Sequence, residues 1–208
     1  MKKLFIGIYN PSIILTYIGV FCSLIGIAFL FNSAQKELSD ALSLPMIFLV
    51  IAGVCDLFDG RVARLCKRTE KEKKFGIELD SLADVVSFVI LPASILLFST
   101  SFNIFGIIVA CFYVFCGIMR LSWFNITTEE NKGIFRGFPV TGSALVFPLI
   151  YVLFKIFDFG GYDILQTIAF FLVGLSFVLN FKLNKPGLKA SAFLGLLAIA
   201  IIVLLIVL

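Results

Sequence analysis

Seven long apolar runs, separated by short polar segments, leave this chain little choice of environment. They are Ser12–Phe31, Leu44–Leu65, Ile77–Phe98, Ile104–Phe124, Val140–Phe157, Ile164–Phe181 and Ala190–Leu208. Each is about the length an α-helix needs to cross a hydrocarbon core of roughly 30 Å. Each is continuous, without the alternating polarity of a transmembrane β-strand. In lipid the backbone must satisfy its own N–H and C=O groups, which restricts such runs to helices. Mean hydropathy is +1.10 and 61% of the residues are hydrophobic, more than a soluble domain carries. The expected fold is all-α: a polytopic transmembrane helix bundle of six to seven spans, forming a single domain over residues 1–208. Met1–Tyr9, with Lys2 and Lys3 among apolar residues, reads as a short N-terminal interfacial segment. Asn10-Pro11-Ser12 reads as a helix start.

Charge fixes the expected orientation. The chain holds 17 Lys and Arg. With the N-terminus in the cytoplasm, only Lys36 and Lys155 fall on the opposite side. This is a strong positive-inside pattern. It puts the run Lys67–Lys74 at the cytoplasmic face, and Lys182, Lys185 and Lys189 read as topology and anionic-lipid contacts. The basic excess is therefore a membrane signal and calls for no nucleic acid.

Against this apolar background four aspartates stand out. Asp56, Asp59, Gly60 and Ala63 share one face of the second span, and Gly76, Asp80 and Asp84 share one face of the third. A charge near the centre of a spanning helix costs roughly 2.5–3.5 kcal/mol on insertion scales, so ionisable residues there default to function. The two spans are consecutive and antiparallel, so their carboxylate faces can meet. Oxygen-only ligands suit Mg2+, Mn2+ or Ca2+, and four carboxylates can hold two such divalent cations. Mg2+ usually completes its shell with substrate phosphates, which points to a phosphate-bearing substrate. Gly60 and Ala63 leave room for a substrate to approach the helix backbone. The chain has no histidine, so acid–base work falls to carboxylates. Cys22, Cys55, Cys66, Cys111 and Cys116 lack zinc-finger spacing and read as packing residues. No EF-hand loop is present.

The pattern Asp56-x-x-Asp59-Gly60-x-x-Ala63-Arg64…Gly76-x-x-x-Asp80-x-x-x-Asp84 resembles the signature of the CDP-alcohol phosphatidyltransferases. Phe75-Gly76, the run Leu79–Phe88, Pro92-Ala93, Arg120-Leu121, Phe124-Asn125 and Gly137-Phe138-Pro139 are similar to stretches of its serine-using branch. The resemblance covers roughly Asn10 to Pro148. It implies that Asp56, Asp59, Asp80 and Asp84 hold two divalent ions around a CDP diphosphate. It implies that Asp84 serves as general base, and that Asp56, Gly60, Ala63, Arg64 and Gly76 contact the nucleotide. Asn10 and Thr16 are further candidates for that contact. The implied reaction takes CDP-diacylglycerol and L-serine to phosphatidylserine and CMP, in a homodimer embedded among membrane lipids. Arg120 and Arg136 are candidates for binding the serine carboxylate. One departure stands out: eleven residues, Leu65–Phe75, separate Arg64 from Gly76, where about eight are expected.

Competing readings keep the family and change the substrate, or change the class. The acceptor could be glycerol 3-phosphate or an inositol phosphate, and the donor an archaeal ether lipid. A cation transporter would use the aspartates as its ion site, but such sites sit at mid-membrane on broken helices. Here the aspartates cluster toward one face.

Overall fold

The computed structural model describes residues 7–8, 10–32, 41–127, 134–157, 160–184 and 187–208. Most of the Met1–Tyr9 segment therefore lies outside the described residues. Seven helices are present among them, and the fold is the expected all-α bundle. They are α1 (Ile14–Asn32), α2 (Ser43–Leu65), α3 (Glu70–Ser99), α4 (Ile104–Thr127), α5 (Ser143–Phe157), α6 (Tyr162–Val178) and α7 (Leu188–Val207). Among the described residues, five helical stretches are long and apolar enough to cross a membrane: Pro11–Asn32, Glu70–Ser99, Ile104–Thr127, Val140–Phe157 and Lys189–Val207. The motif-bearing α2 and the shorter α6 pack among them.

The ends of the helices follow local chemistry. The Asn10 side chain accepts a hydrogen bond from the Ser12 amide at 3.0 Å and opens a 3-10 turn, Pro11–Ile13, that leads into α1. Asn103 accepts from the Gly106 amide at 2.7 Å and opens α4. The third helix departs most from expectation. It begins at Glu70, seven residues before the apolar run, because Thr69 and Glu72 form a reciprocal capping box. Glu70 and Glu72 also lie in its first turn, where the helix dipole favours negative charge.

Directly after Asp84, α3 widens into a π-helical turn, Val85–Ile90, before resuming as α-helix. Pro92 supplies the cause. It has no N–H for the carbonyl of Phe88 four residues earlier, so regular α geometry leaves that oxygen without a partner. Tyr113 Oη on α4 donates to it at 2.7 Å, and Ser143 Oγ at the start of α5 lies 3.3 Å away.

The core is built on α2. Its first half buries Met46, Leu49, Val50 and Ala52 against α1, α5 and α7. Gly53 permits the α2–α5 approach, since a Cβ there would come within 2.5 Å of Ala144 Cβ. A second cluster joins α4, α5 and α6. The Phe147 and Phe170 rings stack at 3.7 Å, and Tyr113 meets Phe170 edge-on at 5.0 Å.

The aspartate-bearing ends of α2 and α3 share their side of the bundle with a small antiparallel ribbon. Ile134–Arg136 pairs with Lys182–Asn184 in a register that sets Phe135 opposite Leu183. The polar segments 125–139 and 182–189 read in the sequence as a loop and a turn; parts of each pair in this ribbon. Gly137 lets the ribbon turn into α5: its φ is +72°, and a Cβ would come within 2.5 Å of the Phe177 carbonyl oxygen. Its amide donates to the Phe181 carbonyl at 2.8 Å.

Candidate metal and nucleotide site

Helical periodicity carries the two aspartate faces into contact. One carboxylate oxygen each from Asp56, Asp80 and Asp84 lies within 4.8 Å of the others, and all three residues are half-buried. Asp56 touches Asp84 across the helix pair, and Asp59 touches Asp80. Thr16 Oγ1 on α1 donates to Asp59 Oδ2 at 3.2 Å. The four carboxylates line a cavity of about 10 Å3, walled by Gly19, Ala52 and Ala83. The converging carboxylate oxygens suit small hard cations. Like charges so close need a counter-charge. The only ion pair among the described residues, Lys73–Glu70, lies elsewhere. The donor set thus fits divalent cations.

Three tethers hold α3 in place around this cluster. The Ser23 hydroxyl on α1 lies 2.8 Å from that of Ser87, three residues past Asp84. Ser81 Oγ, beside Asp80, donates to Asn125 Oδ1 on α4 at 2.9 Å. The bond from Tyr113 to the Phe88 carbonyl fixes the π-helical turn. Ser23 and Tyr113 do not stand out in the sequence, because each looks like an ordinary small or aromatic residue in an apolar span, while Ser81, Ser87 and Asn125 fall in stretches that carry the family resemblance. Only Pro92 signalled the last.

The glycines of the motif face open space. A Cβ on Gly60 would meet nothing within 4 Å, and one on Gly76 would meet only Arg68 Nη1, at 3.7 Å. Ala63 is half-exposed one turn beyond Asp59. Asn10 and Thr16 both reach the motif. Thr16 binds Asp59, while Asn10 Nδ2 donates to Glu72 Oε1 at 3.3 Å and lies 3.5 Å from the Lys67 carbonyl. Asn10 thereby ties the start of α1 to the cap of α3.

Two larger cavities flank the bundle. The first, about 730 Å3, runs between α2, α5 and α7. Leu57, Leu145, Leu149 and Leu197 make it mainly apolar, and at one end it reaches Asp56 and Arg64. The second, about 270 Å3, lies between α4, α6 and the ribbon and brings Arg120 and Arg136 together. Arg120 is only 6% exposed, and the Nε of each arginine is buried without a hydrogen-bond partner. A guanidinium Nε buried without a partner is costly, so these two arginines favour an anion beside them. Neither arginine lines the aspartate cavity. All five cysteines are free thiols.

Comparison with known proteins matches residues 9–208 to the CDP-alcohol phosphatidyltransferase family. The chain is 34% identical over 146 residues to a CDP-diacylglycerol–serine O-phosphatidyltransferase of Helicobacter pylori, covering 68% of this chain and 60% of that protein. It is 40% identical over 124 residues to the protein of that name from Saccharomyces cerevisiae, covering 53% and 44%. It is 33% identical over 164 residues to an archaetidylserine synthase of Methanothermobacter thermautotrophicus, covering 76% and 66%. The chain thus spans between 44% and 66% of the length of these relatives.

Proposed function

The chain belongs to the CDP-alcohol phosphatidyltransferase family, and from that premise we propose that it transfers a phosphatidyl group from CDP-diacylglycerol to the hydroxyl of L-serine. The products are phosphatidylserine and CMP. The observation that carries this reading is the continuity of the 730 Å3 apolar cavity with Asp56. A donor whose acyl chains fill that cavity has its diphosphate at the carboxylates, beside Arg64. The names of the relatives favour serine as acceptor.

In this reading Asp56, Asp59, Asp80 and Asp84 hold two divalent cations, Mg2+ or Mn2+. Cations held there would supply positive charge to the diphosphate and to the leaving CMP. The chain's own residues do the rest. Asp56, Gly60, Ala63, Arg64 and Gly76 line the nucleotide's path, with Thr16 orienting Asp59 and Asn10 bracing the end of α3. Arg120 and Arg136, in the separate cavity beside the ribbon, offer charge-assisted hydrogen bonds to the carboxylate of the approaching serine. Asp84 accepts the proton of the serine hydroxyl. The serine oxygen then bonds to the β-phosphorus of the donor, and the bond from that phosphorus to the bridging oxygen breaks, releasing CMP. The site faces the cytoplasm, where serine and CMP exchange with solvent, and the enzyme works as a homodimer.

A second reading changes only the lipid. The archaetidylserine synthase among the relatives favours an ether-linked donor; the apolar cavity accommodates either chain type. One assay tests both. Purified protein with Mn2+ or Mg2+ is expected to release CMP from CDP-diacylglycerol only when L-serine is added, and chelation is expected to abolish release. Equal release with glycerol 3-phosphate, or none with serine, overturns the serine assignment. Turnover with a CDP-activated ether lipid alone moves the assignment to the second donor.

A further inference from the structure

The connection between Arg64 and Gly76 holds eleven residues where about eight are expected, and it carries Arg68. Cys66–Thr69 link the helices, and the Asn10–Lys67 contact and the Thr69–Glu72 capping box fix their path. Arg68, in the middle, is half-buried. Its Nη1 is the one neighbour that a Cβ on Gly76 would meet, at 3.7 Å. Gly76 lies one helical turn before Asp80 on the same face, about 6 Å along the axis. The guanidinium therefore stands beside Gly76, one helical turn from the carboxylate cluster.

The nearby carboxylates are engaged elsewhere. Glu70 pairs with Lys73 at 2.7 Å. Glu72 accepts from the Thr69 amide at 2.7 Å and from Asn10 at 3.3 Å. Arg68 itself has no ion pair or hydrogen bond among the described residues. A guanidinium offers a rigid, forked set of donors that matches phosphate oxygens in pairs, and a lysine in its place would act only as a point charge.

We propose that Arg68 binds the diphosphate of the cytidine nucleotide donor, closing the site over Gly76 from the side opposite the lipid cavity. This rests on the donor assignment made above and adds to it a binding residue from the lengthened connection. Arg64 reaches the same diphosphate from the cavity side; Arg68 does so from the aqueous side.

The test is equilibrium binding of CDP, CMP and cytidine to the full chain in detergent with Mn2+, comparing wild type with Arg68→Ala and Arg68→Lys. Arg68→Ala is expected to weaken CDP binding about tenfold, the effect of losing one charge-assisted contact of about 1.4 kcal/mol. Arg68→Lys is expected to recover part of that loss. Cytidine affinity stays unchanged, which also shows that the site remains folded, and the KM for serine does not move. Wild-type affinity for CDP in Arg68→Ala overturns the proposal, as does an equal loss for cytidine. If the wild-type protein itself binds no cytidine nucleotide, the donor reading fails and this assignment falls with it.

Discussion

Asp84 occupies a different position from the other three carboxylates. It is the last residue of the α-helical part of α3, it touches Asp56, and the π-helical turn begins at the next residue. A base at that point needs an ionised oxygen aimed at the acceptor and also contributes to holding cations. Asp84→Asn keeps the shape and removes the base. It is expected to cut turnover by about a hundredfold or more, within the range that general bases contribute. Binding of CDP in the presence of Mn2+ is expected to change much less, because three carboxylates remain. Nucleotide binding by titration calorimetry, run beside the CMP-release assay, separates the two effects. Loss of binding together with turnover would recast Asp84 as chiefly a cation ligand.

At the scale of elements, α3 shows how far a sequence reading reaches and where it stops. The motif faces were legible because Asp80 and Asp84, and Asp56 and Asp59, follow helical spacing in spans whose polarity left no other role for them. The start of α3 was legible in principle, since Thr69-x-x-Glu72 is a capping-box pattern, but hydropathy drew attention to Ile77 instead. The short ribbon was not legible. Ile134–Arg136 and Lys182–Asn184 are three residues each, too short for periodicity, and they pair across two intervening helices. The tethers on α3 were hidden for a different reason. Ser23, Ser87 and Tyr113 take their roles from partners far away in the chain, and no local pattern encodes that. The π-helical turn after Asp84 makes the strongest prediction at this scale. Tyr113→Phe removes a bond to the Phe88 carbonyl that Pro92 leaves without its α-helical partner. Ser143 remains as the second donor, so the loss is expected to be about 1 kcal/mol of stability. Thermal unfolding in detergent measures it. Because the turn sets the pitch of Asp84, half-maximal activation is also expected to shift to higher Mn2+ concentration. Unfolding that shifts without any change in cation dependence would confine Tyr113 to a structural part.

At the scale of the whole molecule, the proposed reaction would have the bundle separate its substrates by phase. The carboxylate cluster sits where three surfaces converge: the apolar cavity between α2, α5 and α7, the open floor at Gly60 and Gly76, and the ends of α1 and α3 joined by Asn10. A two-phase reaction needs this arrangement, since the donor's chains must stay in lipid while its diphosphate meets a water-soluble alcohol. The separation is testable because the surfaces are lined by different residues. Leu197 lies on the wall of the apolar cavity, on α7, and does not line the carboxylate pocket. Leu197→Trp puts a bulky ring into that space without touching the carboxylates. The KM for CDP-diacylglycerol is expected to rise several-fold, while affinity for water-soluble CDP and the KM for serine stay near wild type. A short-chain CDP-lipid is expected to suffer less than a long-chain one, because its tails leave more of the cavity free. Should Leu197→Trp weaken CDP and CDP-diacylglycerol alike, the cavity would not be the lipid's path, and the acyl chains would have to reach the carboxylates from the outer face of α1.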